Sequence, residues 1–236
     1  MGRNAVAEAL KSGRAADTLY LAAGETGGSI GAIVAMCRAQ GVVIKETDRQ
    51  KLTRLCGSEH HQGVALSAAV HAYAELEDLF AAAREKNEPP FFVICDEIED
   101  PHNLGAILRT AEAAGAHGVI VPKRRSAPLS ATVARASAGA VEYIPVARVP
   151  NLPAAIDLLK EAGLWIYGAD MRGEPCEKQK LEGPVALVVG SEGRGLGRLV
   201  RERCDILLSL PMKGRVDSLN ASVAAGILLY EIAKYR

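Results

Sequence analysis

The sequence predicts an α/β protein that has a mostly parallel sheet preceded by a smaller α/β unit. Apolar runs rich in β-branched and aromatic residues recur through the second half of the chain, with helical stretches between most of them. Two consecutive prolines, Pro89 and Pro90, mark a boundary before the first of these runs. At 236 residues and 49% apolar composition, the chain is long enough for two units that each bury a core.

Residues 1 to 70 are predicted to form the smaller unit. Short helical and extended patterns alternate here, which is typical of a compact α/β fold. The segments are "AVAEALKSG", "TLYLA", "IGAIVAMCRAQG", "VVIKE", a short helix and "GVALSA".

A linker is predicted at residues 71 to 90. The segment "YAELEDLFAAAREKNEPP" indicates an amphipathic helix that ends at a polar turn and the two prolines. The second domain is therefore predicted to span residues 91 to 236.

The second domain is predicted to bury a parallel sheet between helices. Its candidate strands are "FFVICDEIED", "GVIVP", "VEYIPV", "LWIYGAD", "VALVVG" and "ILLSLP". Ligands of open α/β sheets bind at the carboxyl ends of strands, so the residues that follow each run are the candidate site.

Composition limits the partners. The 28 basic side chains balance 28 acidic ones, so any contact with nucleic acid must be a local patch. The five cysteines form no C-x-x-C pair and the histidines show no ligand spacing, which argues against a metal site and a disulfide framework. The start "MGRNAVAEAL" lacks an apolar export signal and no run reaches membrane-spanning length, so we expect a cytoplasmic protein without membrane contact.

The first candidate loop is "DPHNLGAILRTAEAAGA". Asn103 can cap a helix that begins near Leu104, and Arg109 lies about two turns inside that helix. The pattern alone favours a cap and a surface arginine.

The second candidate loop is the glycine-rich turn in "VALVVGSEGRGLG". It matches neither the G-x-G-x-x-G dinucleotide fingerprint nor a Walker A motif. Glu192 would repel a pyrophosphate. A ligand with positive charge, or with hydroxyl and amine donors, suits this loop better.

The third candidate loop is "LPMKGRVDSLNAS". It offers Ser218, Asn220 and Ser222 as helix caps, although a helix needs only one. Taken alone, the pattern favours a redundantly capped helix.

Together, the three loops resemble a known family. The segments "NLGAILR", "GSEGRGL" and "LPMKGRVDSLNASVA" are similar, in order and separation, to the SpoU (TrmH-like) class of SPOUT RNA 2'-O-ribose methyltransferases. The front segment resembles the L30e-like RNA-binding domain of the RlmB type, which acts on guanosine in 23S ribosomal RNA. "DPHNLGAILR" and "VIVPKRRSAPLSATVARASAGAVEYIPV" are especially close to that type.

The resemblance implies a SPOUT domain with a deep trefoil knot, S-adenosylmethionine as the cofactor, 23S ribosomal RNA as the partner, and a homodimer. Family positions that bind the cofactor, largely through backbone groups, fall on Gly190, Leu210 and Leu219. Family catalytic positions fall on Asn103, Arg109, Glu192, Ser218 and Asn220.

The reaction explains these residue types. The sulfonium makes the methyl group electrophilic, so the protein must align a ribose 2'-hydroxyl and help remove its proton. Guanidinium is effectively always protonated, so we assign Arg109 to stabilising the developing alkoxide rather than to the role of base. Glu192 would offset positive charge or fix Arg109, and the neutral side chains would orient substrate and loops.

Basic residues could supply the RNA contacts. Lys123 to Arg125 form one group, and Arg194, Arg198, Arg201 and Arg203 form another. Solvated surface charge explains each group equally well.

Three other functions remain open. A tRNA guanosine 2'-O-methyltransferase of the same family is one, and a noncatalytic RNA-binding protein, which would not need the three loops, is another. An NAD-dependent oxidoreductase would need the fingerprint that is missing.

Overall fold

A computed structural model of the chain describes residues 1–12, 16–25, 27–68, 71–216 and 218–236. It divides into two compact units, Met1–Ala72 and Tyr73–Arg236. Residues 69 and 70, at the end of the predicted front domain, lie outside the described residues. Among the helices of the described residues, none combines the length and apolar character needed to cross a bilayer.

The first unit packs helices against a small sheet. Its elements are α1 Arg3–Lys11, β1 Ala16–Ala22, α2 Ser29–Ala39, β2 Val43–Thr47, α3 Arg49–Cys56 and β3 Val64–Ala68. The strand order is β2-β1-β3, with β2 parallel and β3 antiparallel to β1. Val6, Leu10, Ile30 and Ile33 from α1 and α2 are buried in its core. The alternation predicted for this segment is therefore confirmed.

The second unit contains the larger sheet. Its helices are α4 Leu76–Lys86, α5 Pro101–Ala113, α6 Ala131–Ala136, α7 Leu152–Glu161, α8 Arg198–Arg201 and α9 Ala221–Ala233. Its strands are β4 Phe91–Cys95, β5 Gly118–Pro122, β6 Val146–Val149, β7 Trp165–Pro175, β8 Val185–Val189 and β9 Ile206–Ser209. The order is β6-β5-β4-β8-β7-β9, and every pair of neighbours is parallel within the described residues. The predicted parallel sheet is confirmed.

Both faces of this sheet are covered by helices. Phe91, Val93 and Cys95 of β4 belong to a core that includes residues of α5 and α9. Phe92 and Ile94, the alternate positions, belong to a second core with residues of α4 and α7. Because successive side chains of a strand point to opposite faces, a continuous apolar run is what a sheet buried on both sides requires.

The segment "VEYIPV" was predicted as one strand, and that prediction is wrong. Residues Ala140–Glu142 form a 3₁₀ turn, and the strand begins only at Val146. Val141 and Ile144 are buried in the same core as α5, so their apolar character reflects packing of a turn. Short apolar runs do not by themselves distinguish a strand from other buried backbone.

The segment predicted as a linker contains a packed helix of the second unit. Glu75 and Asp78 form a capping box at the start of α4. Leu79 and Ala83 are buried, with 0% and 1% of their surface exposed. The polar turn and the prolines therefore connect α4 to β4 within this unit.

The contact of α4 with β5 gives a stability prediction. A Cβ atom at Gly118 would lie 2.2 Å from Leu79 Cγ, and both positions are enclosed by the core. We expect Gly118→Ala to lower the free energy of unfolding by about 1–3 kcal/mol, because the core must shift to admit the methyl group. Urea unfolding followed by fluorescence of Trp165, the only tryptophan, measures this unit.

Gly226→Ala is the matched control for this prediction. Its added Cβ would meet Thr110 Cγ2 at 3.4 Å, an ordinary contact, in the interior of α9. We expect this variant to be unchanged or stabilised by up to about 1 kcal/mol through helix propensity. Equal midpoints for the two variants would contradict the packing argument.

Candidate active site

Three polar loops follow the carboxyl ends of β4, β8 and β9. The β4 loop runs into α5, the β8 loop carries the glycine-rich turn, and the β9 loop runs into α9. β4 and β8 are neighbours in the sheet, and β7 separates β8 from β9. Parallel strands bring these loops to one edge, as the candidate site required.

Asn103 lies in the first turn of α5, and the prediction that it caps the helix is wrong. The cap is Asp100, whose carboxylate accepts hydrogen bonds from the backbone N–H groups of His102 and Asn103 at 3.1 and 3.3 Å. Pro101 follows the cap at the start of the helix, where its missing N–H costs nothing. The Asn103 side chain is consequently free to act across the loops.

Asn220 is the cap of α9. Its Oδ1 accepts from the backbone N–H groups of Ser222 and Val223 at 2.9 and 3.2 Å, and from Ser222 Oγ at 2.6 Å. Of the three candidate caps in the sequence, Ser218, Asn220 and Ser222, it is Asn220 that caps the helix. Ser218 lies exposed in the preceding loop.

The three loops meet at the carboxylate of Glu192. Its Oε1 accepts a hydrogen bond from Asn103 Nδ2 at 3.0 Å and a short one from Asn220 Nδ2. Asn220 Nδ2 also donates to Asn103 Oδ1 at 2.9 Å. Asn103 and Asn220 lie 117 positions apart in the chain. They are joined here by a direct hydrogen bond and by the Glu192 carboxylate that both of them contact. We call Asn103, Glu192 and Asn220 the amide–carboxylate cluster.

The cluster joins an anion to the amino-terminal ends of two helices. Asn103 is in the first turn of α5 and Asn220 caps α9. The positive ends of the helix dipoles stabilise a carboxylate there, typically by about 0.3–1 kcal/mol for each exposed end. Glu192 is exposed, so placing its carboxylate here does not carry the cost of full burial.

The glycine-rich turn is closed on itself. Ser191 and Gly195 exchange two backbone hydrogen bonds, of 3.2 and 2.9 Å. A Cβ atom at Gly190 would lie 2.3 Å from the Gly195 carbonyl carbon, so only glycine fits at this position. The loop presents Glu192 on a fixed backbone.

Asp96 anchors this turn, and the sequence reasoning missed it. Its backbone N–H donates to Val189 at 2.8 Å, and its Oδ2 accepts from the backbone N–H of Gly197 at 2.7 Å. Burial raises the pKa of the Asp96 carboxyl above its usual value, while the bond from Gly197 works in the opposite direction. The signal was an acidic residue directly after the buried strand "FFVIC".

The β9 loop suits a ligand held by backbone groups and apolar contacts. Met212, Val216 and Leu219 are exposed by 39%, 67% and 40%. Within the described part of the chain, the backbone N–H groups from residue 212 to residue 216 donate to no backbone carbonyl. Leu210, which is partly buried, begins this loop, and Leu219 lies next to the cap of α9. Gly190, by contrast, is buried at the end of β8.

Arg109 stands apart from the cluster. Its side chain is exposed on α5, six positions beyond Asn103 and so about 120° around the helix from it. Among the described residues it has no hydrogen-bond or ion-pair partner, so a contact with Glu192, one of the two roles considered for that carboxylate, is not formed.

A cleft of about 290 Å³ borders the cluster. Its lining comes from the β4 and β8 loops and comprises Glu97, Ile98, Glu99, Asp100, Asn103, Ser191, Glu192 and Arg194. Glu97 has an uncommon left-handed backbone, with φ of 58°, at a cost of about 1–3 kcal/mol. Where the structure describes the chain, it shows no group of three or more histidine, cysteine or acidic residues arranged to hold a metal ion.

Most of the predicted arginine group is committed to local ion pairs. Arg198 pairs with Glu202 at 2.8 Å, Arg201 with Asp170 at 2.7 Å and Arg203 with Asp157 at 3.0 Å. The fourth, Arg194, has its Nη1 3.8 Å from Glu97 Oε2, so every arginine of the group lies near a carboxylate, which weakens the interpretation of this group as one phosphate-binding patch.

Comparison with family models assigns both units. Residues 90–230 match the model of the SpoU rRNA Methylase family. Residues 1–74 match the model described as RNA 2'-O ribose methyltransferase substrate binding.

Similar proteins are named as TrmH family tRNA/rRNA methyltransferases. The chain is 50% identical over 238 residues to YacO of Bacillus subtilis (strain 168), named as a TrmH family tRNA/rRNA methyltransferase, covering 100% of this chain and 95% of that protein. It is 42% identical over 237 residues to a protein of Staphylococcus haemolyticus (strain JCSC1435) named in the same way, covering 100% and 95%.

Solved structures extend the similarity to cofactor complexes. The SpoU methyltransferase AviRb from Streptomyces viridochromogenes, in complex with AdoMet, superposes with a TM-score of 0.61 at 27% identity, covering 99% of this chain and 88% of that one. The AdoMet-bound rRNA methyltransferase from Sinorhizobium meliloti gives 0.62 at 29% identity, covering 98% and 84%. The chain belongs to the SpoU family and is an RNA 2'-O-ribose methyltransferase that uses S-adenosylmethionine, with a substrate-binding domain at its amino-terminal end.

Proposed function

We propose that the protein methylates the 2'-hydroxyl of a guanosine in 23S ribosomal RNA. The observation that carries the chemistry is the amide–carboxylate cluster, which joins all three family loops beside an open cleft. The choice of guanosine in 23S RNA rests on the resemblance of the segments around Asn103 and Lys123 to the RlmB type.

The extent of the structural matches supports ribosomal RNA as the substrate. The rRNA methyltransferase from Sinorhizobium meliloti matches 98% of this chain. The TrmH/SpoU tRNA modifying enzyme from A. aeolicus matches 63%, and a structure concerned with methylation of C/U34 on tRNA matches 62%. A match of that size is too short to include both units in full. The match to the rRNA methyltransferase, in contrast, extends over nearly the whole of both units.

The cofactor would be held by the β8 and β9 loops. Gly190, Leu210 and Leu219 are the positions we assign to it, because the β9 loop combines exposed apolar side chains with backbone N–H groups, at residues 212 to 216, that donate to no backbone carbonyl within the described residues. When bound, S-adenosylmethionine supplies an electrophilic methyl group. The protein contributes alignment of the ribose hydroxyl and stabilisation of the charge that develops on its oxygen.

The cluster would act by fixing the three loops. Glu192 holds the amides of Asn103 and Asn220, so the ribose is received by side chains that cannot rotate independently. We assign Ser218, which precedes this cap in the β9 loop, to orienting the substrate. The cytoplasm follows as the location, because ribosomal RNA is the substrate.

Arg109 would stabilise the developing alkoxide. Its charge is not compensated by Glu192 or by any other described residue, and its side chain is exposed. A guanidinium that is already neutralised by a carboxylate would stabilise a second anion less strongly. The substrate phosphate is our assignment for the proton acceptor, because a guanidinium does not deprotonate in proteins.

We also propose a homodimer formed through α9, together with the trefoil knot that the family resemblance implies. Val223, Ile227 and Tyr230 are spaced four and three positions apart along α9 and are exposed by 49%, 41% and 53%. This spacing places them on one face of the helix, next to a buried opposite face. A second copy of the chain would cover this apolar face.

The substrate prediction is tested by methyl transfer. With tritiated S-adenosylmethionine, we expect incorporation into 23S ribosomal RNA transcripts and little into unfractionated tRNA. Nuclease mapping of the product should place the label on the 2'-oxygen of one guanosine. Preferential labelling of tRNA would favour the alternative within the family and reject the 23S assignment.

Arg109→Ala should lower the single-turnover rate by 10²-fold or more, about 2.7 kcal/mol of lost transition-state stabilisation. Stability should change by no more than about 0.5 kcal/mol, because the side chain is exposed. Calorimetric titration should show unchanged cofactor affinity. Arg109→Lys keeps the positive charge but loses the planar guanidinium group. Recovery of the rate in this variant would indicate that charge alone is sufficient, and no recovery would indicate that the guanidinium geometry is required.

Arg84→Ala is the matched control for Arg109. Arg84 is a helix arginine that is 63% exposed and pairs with Glu77. Near-normal transfer by Arg109→Ala, as expected for Arg84→Ala, would remove Arg109 from the catalytic assignment.

Ile227→Glu should convert the dimer to monomer, because it places a charge in the centre of the apolar face of α9. Sedimentation velocity at micromolar concentration measures the change. Leu158→Glu is the control, because Leu158 is 56% exposed on α7 and outside this face. A monomeric wild-type protein would contradict the proposal.

A further inference from the structure

We propose that Arg125 and Arg194 form a clamp for one phosphate group of the RNA backbone at the cleft, with Glu97 as their positioning residue. This inference deepens the proposed function and rests on it, since the ligand of the clamp is the RNA substrate. The clamp would fix the backbone of the strand whose ribose enters beside the amide–carboxylate cluster.

Two arginines from different loops converge on one carboxylate. Arg125, after β5, pairs through Nη1 with Glu97 Oε1. Arg194, in the β8 loop, has its Nη1 3.8 Å from Glu97 Oε2. The two guanidinium groups therefore face the two oxygens of a single anion. A phosphate presents two oxygens in a similar arrangement, and guanidinium is the group best suited to bind it through paired donors.

The donors of both arginines remain largely available. The side chains of Arg125 and Arg194 are 68% and 83% exposed, whereas that of Glu97 is 17% exposed. Each guanidinium has five N–H donors, and the contact with Glu97 uses only part of them. The mostly buried Glu97 carboxylate thus orients the two guanidinium groups, and their remaining N–H donors face solvent, where a ligand can bind.

The backbone at both ends of the Glu97–Arg125 pair is unusual. Glu97 has φ of 58° and Arg125 has φ of 55°, the left-handed region that non-glycine residues seldom adopt. Such conformations persist where the surroundings enforce them, and they are concentrated at ligand clamps and active sites. Here both of them serve to bring one carboxylate and one guanidinium together.

Charge explains why a phosphate would bind at this place. Glu99, Asp100 and Glu192 give the cleft a negative lining that opposes a polyanion. Arg194 is the one cationic residue among the described residues of that lining, and Arg125 joins it through Glu97. Within the group formed by Arg125, Arg194 and Glu97, two guanidinium groups and one carboxylate leave one positive charge, although the cleft lining as a whole stays negative. An RNA strand that crosses the cleft would therefore be held at this point.

The experiment measures the salt dependence of RNA binding. The full-length protein and the variants Arg125→Gln, Arg194→Gln and the double variant are titrated with fluorescein-labelled 23S ribosomal RNA transcript, and in parallel with labelled tRNA. Arg198→Gln is the matched control, because Arg198 is also highly exposed, at 78%, and paired with one carboxylate, that of Glu202, but does not line the cleft. Fluorescence anisotropy from low to high salt gives the slope of log K against log salt concentration.

A shared phosphate predicts one lost contact for the double variant. Its slope should fall by about 0.7–0.9, and its affinity should fall roughly tenfold to a hundredfold. Each single variant should lose less than this, because the remaining arginine still neutralises the phosphate. Arg198→Gln should keep the wild-type slope, and cofactor affinity by calorimetry should be unchanged in all variants.

Two outcomes would overturn the clamp. One is a double variant whose slope equals that of Arg198→Gln. The other is a slope loss of about 1.4–1.8, which means two separate phosphates. Failure of the proposed function is read independently, since it requires that the wild-type protein transfer no methyl group to 23S ribosomal RNA. A clamp effect on tRNA alone would reject the substrate assignment and support the clamp.

Discussion

The hydrogen bonds to Glu192 Oε1 are the interactions on which the site depends. They join Asn103 at the start of α5 to Asn220 at the start of α9 through a residue of the β8 loop. Each amide also forms another hydrogen bond through its oxygen. Asn103 Oδ1 accepts from Asn220 Nδ2, and Asn220 Oδ1 accepts from the backbone of α9 as its cap. Loss of the carboxylate would therefore disturb the three loops together, because charge-assisted hydrogen bonds to a shared acceptor are coupled.

The sheet makes this convergence possible. β4 and β8 are paired in register from Phe91 and Val185 to Cys95 and Val189, so their following loops begin side by side. Asp96 extends that pairing past the strand ends by contacting Val189 and Gly197. A shift of one residue between these strands would move every side chain to the opposite face and separate the loops. The register of these two buried strands thus determines where the loops that carry Asn103 and Glu192 begin.

The sequence predicted the elements better than their contacts. Continuous apolar runs identified the parallel strands, because a sheet buried on both faces has a strong local pattern. Asn103 was mistaken for a cap because two acceptors, Asp100 and Asn103, both precede the periodic part of α5. The meeting of residues 103, 192 and 220 could be expected only from the family resemblance. The pairing of Glu97 with two arginines depends on backbone conformations that local patterns do not encode.

The structure keeps the Glu192 carboxylate, which holds the loops, apart from the Arg109 guanidinium, to which we assign stabilisation of the alkoxide. The Glu192 carboxylate accepts its hydrogen bonds from the loops from two neutral amides. It therefore orders the three loops without pairing with a guanidinium group. Had Arg109 formed a close pair with Glu192, a large part of its field would be cancelled at the short distances that matter for an alkoxide. An exposed arginine also pays no desolvation penalty before substrate arrives. Binding of RNA would exclude water around it and strengthen its effect when the oxygen becomes charged. A carboxylate held by two amides, and an arginine without a carboxylate partner among the described residues, are consequently what the geometry offers to methyl transfer.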